Sequence, residues 1–170
     1  MVFYDDKMKN KFGKNVVKRL AAIMALVDEM YSEKDTLKTE LEVNVAGIEH
    51  ADGSNWGGQK WMPDPFWDDL YNIAIKSSKE ANLYVFITDG TSQDGYAGLA
   101  PMGVVCDPYI NQRMSINGYE GSDAYTATVN FNTSVIQIVW DYLWHWVKRR
   151  FQIIDPCPWN GSQFGYGSWL

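Results

Sequence analysis

The sequence has little cysteine, little histidine and no long apolar run, and each shortage excludes a class of protein. Two cysteines, Cys106 and Cys157, are too few for a disulfide-scaffolded mini-protein or a four-thiolate zinc site. As a candidate disulfide they would close a loop of about 50 residues, a stabilisation of about 4 kcal/mol in the chain-entropy view. Two histidines, His50 and His145, exclude a three-histidine zinc site built from this chain alone. No stretch approaches the ~18 uninterrupted apolar residues of a membrane helix, so no membrane span is expected. A net charge of −6 argues against the basic surface of a nucleic-acid binder. The opening "MVFYDDKMKNKF" is charged and has no apolar core, so no signal peptide is expected in it. Also missing are a Gly-x-Ser-x-Gly elbow, a phosphate-binding glycine loop and a Cys-x-x-Cys pair; "GLAPMG" neither follows an expected strand nor opens a helix.

What is present is aromatic and alternating. Eight Trp, seven Phe and ten Tyr thicken a core or line a groove. At 170 residues the chain is one domain long and able to bury a core. "VFYDD" reads as the end of a strand. From Lys14 to Tyr31, Val16, Val17, Leu20, Ile23, Met24, Val27 and Met30 recur at helical spacing, the pattern of an amphipathic helix. "TELEVNVAGI" alternates as a half-buried strand, and "HADGSNWGGQ" is a loop. "MPDPFWDDLYNIAIKSSKE" has Pro and acids in its early turns, the chemistry of a helix N-terminus. "NLYVFITDG" is a nearly continuous apolar run, expected as a central strand covered on both faces. "RMSING" and the β-branched "AYTATVNFN" both read as strands. Thr133 or Ser134 would cap a following helix, "IQIVWDYLWHWVKRRFQ", and a Pro- and Gly-rich tail ends the chain. Alternating helices and strands make one α/β or α+β domain.

The order of segments resembles the catalytic domain of reprolysin/adamalysin-type metallopeptidases, the ADAM, snake-venom and tick-salivary group of the metzincins. "DDKMKNKFGKN" is similar to their opening Asp-x-x-Met-x-x-Lys-Tyr/Phe-Gly-x-Asn, carried here by Asp5, Met8, Lys11, Phe12, Gly13 and Asn15. "VVKRLAAIMALVDEMY" resembles the long first helix, "LEVNVAGIE" the second strand and "LYVFITDG" the central one. "GYAGLAPMGVVC" resembles the edge strand that binds extended substrates, and "CPWNG" a stretch before the methionine turn. The resemblance implies an α/β, metzincin-like three-layer domain with a twisted mixed sheet, a long backing helix and an irregular C-terminal subdomain. Residues 1–170 would form this single unit, with 1–151 as the sheet-and-helix part and 152–170 as a truncated C-terminal part. It also implies a secreted, monomeric protein, which the sequons at Asn132 and Asn160 would suit.

The family's His-Glu-x-x-His-x-x-Gly-x-x-His helix holds zinc and activates water. On that pattern Trp140, Trp144 and Arg150 fall at the three zinc-ligand positions, Asp141 at the general base and Val147 at the turn glycine. Indole nitrogen has no lone pair for a metal, and a guanidinium repels one. The expectation is therefore no metal and no cofactor, although the family uses zinc: a non-catalytic metallopeptidase-like domain that binds an extended peptide or protein, or serves as a scaffold. The peptide-binding edge would be Gly98, Leu99, Ala100, Pro101, Met102 and Gly103. Two other readings stay open: an active zinc metalloendopeptidase with ligands elsewhere, and a redesigned scaffold whose indoles hold a small apolar or cationic ligand. Asp141 with His145 is half a metal site at most, the Lys148–Arg150 cluster suits a helix end, and Asp94 and Asp107 are weak calcium candidates.

Overall fold

The computed structural model describes residues 1–32, 42–77, 79–101 and 109–133. Strand β1 (Val2–Tyr4) leads into α1 (Asp6–Phe12), a 3-10 turn (Gly13–Asn15) and α2 (Val16–Ser32). Then come β2 (Ile48–His50), α3 (Asp64–Ala74), β3 (Tyr84–Asp89), β4 (Gly98–Leu99), a second 3-10 turn (Ile110–Gln112) and β5 (Met114–Tyr119). A helix over 123–133, α4, is the last described element. The five strands form one mixed sheet in the order β2-β1-β3-β5-β4. Four run parallel, and only β4 is antiparallel, pairing Gly98 with Asn117 and Leu99 with Ile116.

Strand alternation divides the core into two layers of contacts. Val2, Tyr4, Val85 and Ile87 pack with Leu20, Ile23, Met24 and Val27 of α2 and Ala127 of α4. Phe3, Tyr84, Phe86, Met114 and Ile116 face the other way, onto Leu70 of α3 and onto Trp56 and Trp61 of the 51–63 loop. Because β3 is covered on both faces, it reads as an unbroken apolar run rather than an alternating one. Each fully buried large side chain here contributes about 1.5–3 kcal/mol of transfer free energy. Among the described residues no helix is long and apolar enough to cross a membrane.

The opening motif joins the two layers. Asp5 is fully buried and caps α1, accepting the Met8 N–H at 3.1 Å. Its other oxygen accepts the Trp56 N–H at 2.8 Å and the Thr88 hydroxyl at 2.6 Å. Met8 sinks into the core, while Lys11 pairs with Asp89 at the end of β3. Phe12 meets Tyr119 edge-on at 5.0 Å. Gly13 ends α1 at φ 53°, a left-handed geometry that a side chain resists.

Three expectations need correction. "AYTATVNFN" is helix, not strand: residues 123–133 form α4. Ser122 caps it by accepting the Tyr125 N–H, and Thr126 and Thr128 return their hydroxyls to carbonyls four residues back. Those bonds and the burial of Ala127 override a modest β-propensity. For the same reason Thr133 lies inside a helix rather than capping one. Of the "TELEVNVAGI" strand, the described residues 42–47 are not strand and only Ile48 joins β2, since β1 offers only Val2–Tyr4 to pair with Ile48–His50; upstream, the Val43 N–H is taken by Asp28.

Candidate functional site

Trp140, Asp141, Trp144 and Arg150, together with Met102, Gly103, Asp107, His145, Cys106 and Cys157, lie outside the described residues. The other four edge residues are described. Gly98 and Leu99 form β4, and Ala100 and Pro101 continue from it. β4 ends the sheet order, so its outer side carries no strand among the described residues. Such an edge presents backbone donors and acceptors that an extended chain can pair with.

Gly98 is dictated by close approach. A Cβ there would stand 2.7 Å from the methyls of Val129 and Thr133 on α4. Thr133 in turn donates its hydroxyl to Asn117 on β5, directly opposite Gly98 in the ladder. Gly98→Val is therefore expected to lower stability by about 1–3 kcal/mol through overpacking, read by urea denaturation. It should also loosen β4 from α4, read by faster amide exchange at Gly118, whose N–H bonds to Ala97.

Next to this edge is a pocket of about 650 Å³ between α3 and residues 109–112, with Pro101 also in its lining. Asp64, Trp67, Asp68 and Tyr71 line one wall, and their spacing places them on a single face of α3. Tyr109 closes the opposite side. Among the described residues, no lysine, arginine or histidine lines it. Among the described residues, neither Asp64 nor Asp68 has a hydrogen-bond or ion-pair partner.

A second cluster lies at the carboxyl ends of the parallel strands, where open α/β sheets commonly place ligands. His50 Nε2 is 2.7 Å from Asp6 Oδ1, and its Nδ1 is 3.7 Å from Asp52 Oδ1. One ligand atom from each of the three residues lies within 4.8 Å of the others. The two carboxylates, however, grip opposite edges of the ring. Lys9 also brings its ammonium to 3.5 Å from Nδ1, which opposes a divalent cation. Tyr4 stacks on the imidazole at 5.1 Å. The arrangement acts as a clasp from β2 to α1, reinforced where the Gly53 N–H reaches Asp6. Asp94, a weak calcium candidate, accepts the Trp61 N–H at 3.2 Å and belongs to no group of metal donors among the described residues.

Neither cluster was visible as such in the sequence. The acids of α3 read as ordinary helix-start chemistry, and the His50 clasp joins residues more than forty positions apart. The one usable signal was the recurrence of Asp64, Trp67, Asp68 and Tyr71 on one helix face, an exposed face carrying aromatics as well as charge.

No family model and no curated protein matches this chain. A solved structure described as a chaperone–substrate complex is similar at 9% identity and a TM-score of 0.48. That likeness spans 80% of this chain and 22% of the other, so the chain corresponds to well under half of that structure's length.

Proposed function

We propose that this chain is a non-catalytic, metallopeptidase-like domain that binds an extended peptide along β4. The observation that carries the reading is the strand that, among the described residues, alone runs antiparallel and ends the sheet, beginning at Gly98. Support comes also from the opening Asp-x-x-Met-x-x-Lys-Phe-Gly pattern, whose named residues serve in turn as cap, core contact, ion pair, ring contact and helix stop. Loss of catalysis rests on the donor set. Trp140, Trp144 and Arg150 stand where imidazoles would be needed, and they do not fit zinc. A chain of this kind would work outside the cell as a monomer, holding its ligand through main-chain hydrogen bonds without cutting it.

Metal analysis of the purified protein, paired with a peptide-cleavage assay with and without chelator, tests this reading. The expected result is no stoichiometric zinc and no chelator-sensitive cleavage, with extended peptides binding at micromolar or weaker affinity. Zinc at one equivalent together with cleavage abolished by chelator overturns it. Bound metal that disappears in His50→Gln reports the Asp6–His50–Asp52 cluster instead.

A further inference from the structure

We infer that the pocket between α3 and residues 109–112 receives a lysine or arginine side chain of the peptide bound along β4. This rests on the peptide-binding reading above and deepens it by naming the ligand's chemistry. Pro101, two residues beyond the end of β4, lines the pocket. A peptide paired with β4 and continuing past Leu99 would therefore run toward the pocket, with alternate side chains directed to one side.

The lining selects charge. Asp64 and Asp68 are both exposed and offer carboxylates without a partner among the described residues. Trp67, Tyr71 and Tyr109 supply aromatic surface beside them. Carboxylate oxygens bind an ammonium or guanidinium by charge-assisted hydrogen bonds, and ring faces attract the same cation. An acidic side chain would meet two like charges. An apolar one would leave the carboxylates half desolvated with nothing to bind. A volume of about 650 Å³ exceeds what one long basic side chain fills, leaving room for water around its head. The protein's net charge of −6 draws a basic peptide toward the surface from any direction. Preference at one peptide position therefore has to be separated from general attraction.

The test uses four extended peptides that differ at one position, carrying lysine, arginine, norleucine or glutamate, titrated calorimetrically into the full chain. Lysine or arginine should bind about tenfold tighter than norleucine, and glutamate weaker still. Asp64→Asn/Asp68→Asn should erase that preference, bringing lysine and arginine peptides to within about twofold of norleucine on the same variant. A charge-matched control, Glu29→Gln/Glu120→Gln, alters exposed acids outside the pocket and should retain the preference. Thermal midpoints establish that both variants are folded, and Tyr71→Leu gives a second route to loss of preference. Peptides methylated on alternate backbone nitrogens report the strand pairing separately. Binding that depends on those nitrogens but not on the varied side chain overturns the pocket inference and leaves the edge reading standing. A preference retained by the Asp64/Asp68 variant, or lost equally in the Glu29/Glu120 control, overturns the pocket inference as well. Absence of binding by every peptide overturns both.

Discussion

Trp61→Ala is expected to destabilise the protein by about 4 kcal/mol, lowering its thermal midpoint by about 10 °C. Trp61 is fully buried. It stacks on Phe66 at 6.4 Å between ring centroids and donates its indole N–H to the Trp56 carbonyl at 3.0 Å. Removing the ring creates a large cavity under the loop that delivers the chain into α3, and close-packed surroundings fill such a space only in part. Trp61→Phe keeps much of the volume but not the hydrogen bond, and should lose about half as much. Circular-dichroism melts of the two variants check both values. A loss below about 1 kcal/mol for the alanine variant would mean that the indole is not packed as described. Because Trp61 lies three residues before α3, the same variant should weaken binding of a basic peptide at the α3 pocket.

Asp5→Ala should be comparably damaging, at about 3–5 kcal/mol. It removes the cap of α1 and leaves the Trp56 N–H and the Thr88 hydroxyl buried without their acceptor. Asp5→Asn separates these contributions. An amide can still accept the Met8 N–H, but its NH2 group would face two donors, so most of the loss should persist. The carboxyl also has a pH signature. Burial raises its pKa above the ordinary carboxylate value, an effect only partly offset by hydrogen bonds from Thr88, Trp56 and Met8 and by nearby Lys7. The folded protein therefore holds this proton more tightly than the unfolded chain does. The group's contribution to stability is greatest below the unfolded pKa and declines as pH rises through the folded one. Accordingly, the stability gap between wild type and Asp5→Ala should shrink as pH increases from about 3.5 toward neutrality. Urea titrations at stepped pH read this directly, and a gap that widens over that range contradicts it.

Some of this architecture is legible in the residues because burial leaves a local trace. The run Tyr84–Ile87 is apolar at every position because helices and the tryptophan loop cover both sides of β3. The core face of α2 recurs at Leu20, Ile23, Met24 and Val27 for the complementary reason, one covered side. α4 is harder to read. Its threonines favour strand by type, and what makes them helical is a serine cap and back-bonded hydroxyls, a local competition that composition does not display. The 51–63 loop is a further case. Its glycines and polar residues mark it as surface, yet Trp56 and Trp61 anchor it inside. The Asp5 bond to Trp56 that fixes it spans some fifty residues of sequence. As for the candidate site, family resemblance points to residues 98–103, of which Gly98 and Leu99 form the edge strand. The pocket beside it was not legible, because it exists only once residues 109–112 approach α3.

The position of β1 has a consequence for how the protein is made. Residues 2–4 are synthesised before either of their neighbours, β2 and β3, and pair on one side with Val85, Phe86 and Ile87. Until that later segment leaves the exit tunnel, the first strand can have at most one flank satisfied. Parallel pairings over such separations close slowly. A nascent chain halted before residue 84 should therefore remain sensitive to protease throughout residues 2–32, becoming resistant only after β3 and β5 are released. Synthesis order and assembly order are opposed here, and a chaperone that shields the leading strand would shorten the vulnerable interval.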